Sequence, residues 1–291
     1  MAAIAGTIAF ERNEGGSDGS NDGAQTPSVY DGGQRWMPSS DRPRSVVWAV
    51  GDAADGSPTS RRVASLISSG RPDLLLYLGD VYDTGTASEF DRNYRPIYGG
   101  LGEITAPTIG NHEWPNVATG YVPYWTAVRG TPPPFWYAFS ASGWQLISLN
   151  SNLPSSPDQL QWLGSLLDAT PQYGNCRIAF FHHPVLSNGP HGGLLALQPI
   201  VDELKERARI VLSGHDHDMQ RFQPVQGLTQ LVSGSGGAEL YPFVNSNLWD
   251  AFGDDSHHGA LRLLLRHGRA KATFVALNSK ILDRSAVSCN R

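Results

Sequence analysis

The 291-residue sequence has two cysteines, no surplus of basic residues and no long apolar run. Its formal net charge of −5 excludes the strongly basic composition that nonspecific binding to nucleic acids usually needs. No apolar run approaches the roughly 20 residues of a membrane-spanning helix. The start, MAAIAGTIAFERN, has a short apolar run without a positively charged segment before it, so we do not predict a signal peptide. We therefore expect neither a nucleic acid nor a membrane as partner.

The two cysteines, Cys176 and Cys289, are either unrelated thiols or a disulfide. A disulfide would tie a mid-chain strand to the C-terminus and would favour an oxidising compartment. A secreted or extracytoplasmic location would fit that pairing, whereas a start without a signal peptide fits the cytoplasm. Localisation and oligomeric state stay open at this stage.

The chain changes in character near residue 45. Residues 11–44 are rich in Gly, Ser, Asp, Asn and Pro and have too little apolar content to order themselves. We expect residues 1–44 to form a flexible or loosely docked arm and residues 45–291 to form one domain. In that domain, apolar segments of strand length alternate with segments of helical spacing. The predicted strands include SVVWAV, DLLLYL, APTI, FWYAF, WQLISL, CRIAFF, RIVL, ALRLLLR and KATFVAL.

The alternation predicts an α/β fold. The aromatic-rich strands at 135–149 and the terminal pair ALRLLLR and KATFVAL predict some antiparallel pairing. Helices are predicted over SRRVASLISS, ASEFDRNY, SSPDQLQWLGSLL and LLALQPIVDELKERA. Ser156 is expected as the N-cap of the third, with Pro157 at its first position.

Polar residues follow five of the predicted strands at the point where each strand ends. They are Gly51-Asp52, Gly79-Asp80, Gly110-Asn111-His112-Glu113, His182-His183-Pro184 and Gly214-His215-Asp216-His217. Because open α/β sheets place ligands outside the carboxyl ends of their strands, these clusters would converge on one crevice if the strands are neighbours. Each alone could be an ordinary turn, but five in the same context favour a common site. On an extended segment, His215 and His217 would point to the same side and could face one metal-sized space.

The order GD, GD, GNHE, HHP, GHDH resembles the signature of the calcineurin-like metallophosphoesterase superfamily, over about residues 45 to 225. The segments LGDVYDTGTASEF, PTIGNHEW, FFHHPVLSNGPHGG and GHDHDMQRFQP are similar to its purple-acid-phosphatase-like and bacterial phosphatase branch. This resemblance implies that residues 45–291 are a metallophosphoesterase domain. It implies a four-layer α-β-β-α sandwich of two mixed β-sheets flanked by helices, with a two-metal centre at one edge.

The resemblance also implies a ligand set for two metal ions. Asp80 would bridge them, Asp52 and His217 would bind the first, and Asn111, His182 and His215 would bind the second. Mixed nitrogen and oxygen ligands suit Fe, Zn or Mn. A hydroxide bridging the two ions would attack the phosphorus of a small phosphorylated substrate, here expected to be a phosphate monoester. The alternatives are a phosphodiesterase, including one for cyclic nucleotides, and a non-catalytic metal-binding module.

Three further residues have expected roles. His112 resembles the family histidine that protonates or stabilises the leaving alkoxide, a role that suits histidine because it titrates near neutral pH. Asp83 would orient His112, or is a turn aspartate. His191, in NGPHGG, could reach the substrate phosphate.

The first metal's ligand shell departs from the family pattern. The first motif reads Asp52-Ala53-Ala54 and lacks the histidine of many members. Purple acid phosphatases instead use a tyrosine three residues after the bridging aspartate, whereas Tyr82 comes two residues after Asp80. Tyr82 fills the gap if the turn is one residue tighter; otherwise Asp55, Asp83 or water does. The aromatic loop 114–134 is either a rim over the metals or packed cover.

Overall fold

Two mixed β-sheets, of six and seven strands, form the centre of the computed structural model, which describes residues 36–246 and 248–290. In chain order the strands are β1 (Arg44–Val50), β2 (Leu74–Tyr77), β3 (Thr105–Pro107), β4 (Tyr137–Ala141), β5 (Trp144–Ser148), β6 (Arg177–Phe180), β7 (Ile210–Ser213), β8 (Met219–Phe222), β9 (Thr229–Ser233), β10 (Asp250–Asp254), β11 (Gly259–Arg266), β12 (Arg269–Ala276) and β13 (Ile281–Ser288). The strand order is β13-β12-β11-β1-β2-β3 in the first sheet and β10-β8-β9-β7-β6-β5-β4 in the second.

Within each sheet, the strands that lead to the predicted site run parallel to one another. In the first sheet β1, β2 and β3 run parallel, and in the second β5, β6, β7 and β9 do. The predicted terminal pair is the antiparallel hairpin β11–β12, and the aromatic-rich strands are the antiparallel pair β4–β5. Parallel neighbours end at the same edge of a sheet, which brings the predicted polar clusters together.

Six α-helices lie in the described part of the chain. They are α1 (Pro58–Ser69), α2 (Ala87–Glu89), α3 (Arg95–Tyr98), α4 (Tyr121–Arg129), α5 (Pro157–Ala169) and α6 (Gln198–Leu204). The start of α5 is as predicted, because the Ser156 side chain accepts a hydrogen bond from the Gln159 amide and Pro157 follows directly. The helix predicted over LLALQPIVDELKERA is shorter, since its first turn is a 3-10 helix and α6 begins only beside Pro199.

The two sheets and their helices form four layers. Val47, Leu76 and Leu261 of the first sheet share an apolar cluster with Ile178 and Leu212 of the second, so the main core lies between the sheets. The opposite face of the first sheet packs with α1 and α4, and that of the second packs with α5 and α6. The predicted α-β-β-α sandwich is therefore confirmed.

The sequence patterns do not predict β8, β9, β10 and β13. β13 forms one edge of the first sheet and alternates between exposed and half-buried residues, so it lacks the apolar run that marks a buried strand. It leads into Cys289, which forms a disulfide with Cys176 immediately before β6. Of the two cysteine alternatives, the structure therefore contains the disulfide, which joins the two sheets.

Part of the predicted N-terminal arm lies against the domain. Met37 is buried, the Trp36 ring makes edge contacts with Trp125 and Tyr137, and the Ser40 amide donates to the Ser140 carbonyl at 2.8 Å. Residues 1–35 lie outside the described residues, and the division at residues 44 and 45 stays a prediction. Within the described part, no helix has the length and apolarity that crossing a membrane requires.

Candidate metal centre

The five polar clusters meet where the carboxyl ends of the two sheets come together. The strands are not all neighbours in one sheet, since β1, β2 and β3 belong to the first and β6 and β7 to the second. The ends of the sheets are joined by hydrogen bonds: the Gly51 amide donates to the Ser233 carbonyl at 2.8 Å, and His182 Nδ1 donates to the Leu78 carbonyl at 2.8 Å. The site therefore lies between the sheets.

Three of the site residues turn the chain sharply after a strand. Asp52, Asp80 and His215 have φ angles of 59°, 70° and 73°, in the left-handed region that non-glycine residues seldom adopt. Such conformations cluster at functional sites. The extended segment expected at His215 and His217 is therefore wrong: the left-handed turn at His215 sends the two imidazoles toward different partners.

Glycines in these motifs let the chain segments approach one another. A Cβ on Gly110 would lie 2.0 Å from Asp80 Oδ1, and a Cβ on Gly214 would lie 2.5 Å from Asp52 Oδ2. Contacts that short do not occur between non-bonded atoms. Glycine at these two positions is thus required for the carboxylates of Asp52 and Asp80 to reach the site.

One group of side chains, here named site 1, consists of Asp52, Tyr82 and His217. The Tyr82 hydroxyl lies 2.9 Å from Asp52 Oδ1, 2.9 Å from His217 Nε2 and 3.3 Å from Asp80 Oδ2. Tyr82 is 8% exposed, and the tight turn that the shortened spacing requires does bring its phenol oxygen between the two carboxylates. Asp55 lies elsewhere, because its carboxylate accepts hydrogen bonds from Ser57 and Ser60 at the start of α1.

A second group, site 2, consists of Asn111, His182 and His215. His182 Nε2 lies 2.8 Å from Asn111 Oδ1 and 3.1 Å from His215 Nδ1. Asp80 stands beside both groups, with Oδ2 at 3.3 Å from His182 Nε2 and at 3.3 Å from the Tyr82 hydroxyl. Single ligand atoms of Asp80, His182 and His215 all lie within 4.8 Å of one another, close enough to hold one metal ion.

Backbone carbonyls orient three of the histidines. His182 Nδ1 faces the Leu78 carbonyl, His217 Nδ1 faces the Glu239 carbonyl at 2.6 Å, and His112 Nδ1 faces the Asp83 carbonyl. A carbonyl can only accept, so each Nδ1 must carry a hydrogen, which leaves Nε2 directed at the site. This is the arrangement that metal-binding histidines commonly show.

The inward-facing atoms have too few hydrogens for their hydrogen bonds. At site 1, Asp52 Oδ1, Asp80 Oδ2 and His217 Nε2 surround the single phenol hydrogen of Tyr82. At site 2, lone pairs of Asn111 Oδ1 and Asp80 Oδ2 face His182 Nε2. Buried acceptors that face one another repel unless a proton or a cation lies between them. The donor set therefore fits metal ions at both groups.

The pKa values of the site 2 histidines also indicate that a positive charge is favoured at this site. Burial favours the neutral imidazole of His182, but the Asp80 carboxylate outweighs it and raises the pKa of His182 to about 10. Burial and the adjacent His182 lower the pKa of His215 to about 2. Although burial opposes it, His182 and His112 lower the pKa of Asp80. The cluster thus stabilises one positive charge next to the Asp80 carboxylate.

His112 lies at the open side of the site. Its Nε2 is 3.7 Å from Asp80 Oδ2, its ring packs edge-on against Tyr82, and its side chain is 33% exposed. Asp83 is an exposed residue, and its contact with His112 is made by its backbone carbonyl. Asp83 therefore orients His112 in this structure by a main-chain atom, which any residue at position 83 could supply.

His191 lies next to site 2. Its exposed ring packs against the His215 ring with centroids 4.5 Å apart, and the ring of Tyr241 lies 5.4 Å away. Tyr241 also stacks face to face on His217, with centroids 3.9 Å apart. Sequence reasoning missed Tyr241, which follows the glycine-rich SGSGGAE segment and has no local pattern that links it to the histidines.

Glu113 is a second residue whose role the sequence did not suggest, although it belongs to the GNHE cluster. Its buried Oε2 accepts a hydrogen bond from the Asp80 amide at 3.0 Å, which supports the left-handed turn at Asp80. Burial and the nearby Asp80 carboxylate raise the pKa of Glu113. In the loop 114–134, Tyr121, Tyr124 and Trp125 are buried in the apolar core, so these three aromatic residues have a packing role and do not form a rim over the metal site.

Comparison with known proteins agrees with this fold and site. The calcineurin-like phosphoesterase family model matches residues 42–219, more than half of the chain. A probable cyclic nucleotide phosphodiesterase of Synechococcus is 30% identical over 202 residues, which span 62% of this chain and 72% of the relative. A second protein of that description, from Rhodococcus erythropolis, is 29% identical over 181 residues, or 57% of this chain and 59% of the relative.

Solved structures with the same fold include purple acid phosphatase PPD1 from yellow lupin, with a TM-score of 0.70 and 17% identity over 86% of this chain and 54% of that one. A dimetal phosphatase from Danio rerio has a TM-score of 0.61 and 14% identity, over 84% of this chain and 99% of that one. GAP50, the anchor in the inner membrane complex of Plasmodium, has a TM-score of 0.72 and 16% identity, over 86% of this chain and 90% of that one.

The fold and the cluster of carboxylates and histidines at the sheet ends define a metal-dependent hydrolase of phosphate esters. The chain belongs to the calcineurin-like phosphoesterase family. Members of this family use divalent metals and act on small phosphorylated substrates.

Proposed function

We propose that this protein is a phosphomonoesterase that works with two metal ions drawn from Fe, Zn and Mn. The observation that carries the proposal is the pair of adjoining acceptor clusters on either side of Asp80. Asp52, Tyr82 and His217 would hold one ion, Asn111, His182 and His215 would hold the other, and Asp80 would contact both. When bound, the ions activate water as a nucleophile and neutralise charge on the phosphoryl oxygens.

His112 is proposed as the proton donor to the leaving group. Its Nδ1 hydrogen is engaged by the Asp83 carbonyl, so Nε2 is the nitrogen that exchanges a proton. Nε2 lies 3.7 Å from Asp80 Oδ2 and the His112 side chain is 33% exposed, so a substrate held at the cluster would present its ester oxygen to this nitrogen. Positioned general acids of this kind contribute typically about 10²- to 10⁴-fold to the rate.

His191 is proposed to contact the phosphate group. It is exposed, and its ring lies against that of His215 at site 2, with centroids 4.5 Å apart. A histidine donor at the phosphate group, in addition to the ions, would suit the dianion of a monoester better than the single negative charge of a diester. This difference in substrate charge is why we place the monoester first.

A phosphodiesterase activity, including one on cyclic nucleotides, is the second candidate. It is favoured by the two relatives of about 30% identity, which are described as probable cyclic nucleotide phosphodiesterases. A non-catalytic metal-binding module on the same scaffold is the third candidate, and the placement of His112 beside Asp80 speaks against it.

Hydrolysis assays on metal-reconstituted protein separate these candidates. p-Nitrophenyl phosphate, its bis-ester and 3′,5′-cyclic AMP would be compared with and without chelator. Chelator-sensitive turnover of the monoester that exceeds turnover of the other two supports the proposal. Preference for the bis-ester or cyclic AMP replaces it with the second candidate. No turnover of any substrate, with metal shown to be bound, supports the non-catalytic module.

A further inference from the structure

We propose that Asp216, which lies between His215 and His217 in the sequence, is a positioning residue that holds His191 against site 2. This inference rests on the proposed role of His191 in binding the substrate phosphate. Asp216 is 0% exposed, and its carboxylate is hydrogen-bonded to the loop that carries Ser187, Gly189 and His191.

Both carboxylate oxygens of Asp216 accept hydrogen bonds from this loop. Oδ1 accepts from the His191 backbone amide at 3.1 Å, and Oδ2 accepts from the Ser187 hydroxyl. The loop also lies close to the carboxylate, since a Cβ on Gly189 would come 2.4 Å from Asp216 Cγ. Asp216 is therefore enclosed by the loop that it holds.

Two donors near Ser187 fix the direction in which its hydroxyl hydrogen points. Ser187 Oγ accepts from the Gly189 amide at 3.0 Å and from Gln220 Nε2 at 2.9 Å. A hydroxyl has two acceptor lone pairs and one hydrogen, so with both lone pairs engaged the hydrogen must go to Asp216. In Asp216→Asn, the side-chain oxygen could still accept a hydrogen bond from the His191 amide. The NH₂ group would then face Ser187 Oγ, whose two lone pairs are already engaged, so this second hydrogen bond would be lost.

This hydrogen bonding connects the substrate side of the site to the metal side. The residues on either side of Asp216 point into site 2 and site 1, respectively. The Asp216 carboxylate sets the loop, and the loop sets the exposed His191 ring 4.5 Å from the His215 ring. Asp216 thus acts on the substrate through His191 and touches no reacting atom.

Asp218 supplies a matched control. It is also 0% exposed and lies two residues further along the chain, but only Oδ1 is used, accepting from Gln220 Nε2 at 2.7 Å. Its Oδ2 has no hydrogen-bond partner among the described residues. Asp218→Asn keeps the one bond that is made, whereas Asp216→Asn disrupts one of two.

The test compares kinetics of metal-loaded wild type, Asp216→Asn, Asp218→Asn, His191→Ala and the double variant Asp216→Asn/His191→Ala on p-nitrophenyl phosphate. We expect Asp216→Asn to raise KM, and the inhibition constant of inorganic phosphate, by about tenfold, equivalent to about 1.4 kcal/mol. The value of kcat and the metal content should stay within about twofold, as should all values for Asp218→Asn. Because Asp216 acts through His191, adding Asp216→Asn to His191→Ala should cause no further rise in KM.

An independent readout is hydrogen exchange of the peptide that covers residues 185–193, which should be faster in Asp216→Asn and unchanged in Asp218→Asn. If Asp216→Asn does not fold, Ser187→Ala must raise KM and speed the same exchange, because it removes the donor to Asp216 Oδ2 together with the oxygen that accepts from the Gly189 amide and Gln220 Nε2. Additive KM effects in the double variant, or unchanged exchange, would overturn the inference. A normal KM for His191→Ala, or no hydrolysis by the wild type, would instead count against the proposed function. The exchange experiment would still test whether Asp216 holds the loop that carries His191.

Discussion

The phenol oxygen of Tyr82 lies 2.9 Å from Nε2 of His217, although 135 residues separate them in the sequence. Tyr82 is only two residues after Asp80, so the turn between them is tight enough to bring the hydroxyl back beside the carboxylate. We expect Fe(III) bound at site 1 to have Tyr82 as a ligand, which would give a visible charge-transfer band.

Tyr82→Phe tests this geometry by absorption spectroscopy. The iron-loaded variant should lose the visible band, because phenylalanine offers no oxygen, while site 2 should keep its ion. The variant should also retain its fold, since only the hydroxyl is removed from a buried ring. An iron-loaded wild type without colour would show that Tyr82 is not a ligand.

Removal of a site 2 ligand should change metal stoichiometry. His182→Ala removes the imidazole that faces Asn111, His215 and Asp80, so we expect elemental analysis to fall from about two ions per chain to about one. Hydrolysis should fall with it by at least about 100-fold, because the phosphoryl charge loses one of its counter-ions. His183→Ala is the matched control, since His183 Nδ1 is hydrogen-bonded to the Ser151 hydroxyl and His183 touches site 2 only by ring packing against His182 and His215. Equal metal content in His182→Ala and wild type would contradict the assignment.

His112→Ala should lower kcat while leaving the metal content unchanged. The loss should be about 10²- to 10⁴-fold for an alkyl phosphate, whose leaving alkoxide needs a proton. It should be much smaller for p-nitrophenyl phosphate, because p-nitrophenolate leaves without protonation. A plot of kcat against the pKa of the leaving alcohol, for the variant and the wild type, measures the difference. Parallel lines for the two proteins would exclude His112 as the proton donor.

Glu89 should contribute a pH-dependent part of the stability. Its carboxylate accepts hydrogen bonds from the amides of Asp83, Thr84 and Thr86, which outweigh burial and lower the pKa of Glu89 from 4.5 to about 2. A lowered folded-state pKa means that this stability is present above pH 4.5 and is lost as the pH falls toward 2. Glu89→Gln should lower the free energy of unfolding by about 1 kcal/mol at pH 7, since solvent screens a partly exposed carboxylate.

Urea unfolding of wild type and Glu89→Gln at pH values between 7 and 2 measures this contribution. The difference between the two proteins should shrink as the pH falls. Glu103→Gln, whose side chain is 83% exposed, is the control and should change stability little at any pH. A constant difference across the pH range would show that the hydrogen bonds do not depend on the charge of Glu89.

The disulfide between Cys176 and Cys289 closes a sequence separation of 113 residues. Its loss should lower the free energy of unfolding by about 2 to 5 kcal/mol, because the unfolded chain gains the freedom that the crosslink removes. Thermal unfolding of the Cys176→Ser/Cys289→Ser variant, compared with wild type with and without reductant, measures the effect. Wild type in reductant should approach the variant, and an equal Tm in all samples would contradict the expectation.

The parts of the site that the sequence predicted are those carried by short motifs. Asp52, Asp80, Asn111, His182 and His215 each follow a strand whose apolar run is visible in the sequence, and parallel strands end at a common edge. The glycine before four of these residues is a local requirement of sharp turns and close packing, so it too is visible. The same local signals predicted the N-cap at Ser156 and the α/β class.

The sequence by itself therefore determined the class of fold and the identity of the polar residues at the strand ends, because periodicity and turn chemistry depend on neighbours along the chain. Tertiary structure alone decided that Tyr82 reaches His217, that Cys176 meets Cys289, that Leu78 and Glu239 orient distant histidines, and that Tyr241 covers His217. These contacts join segments far apart in sequence, whose approach is set by how the two sheets pack on their shared core.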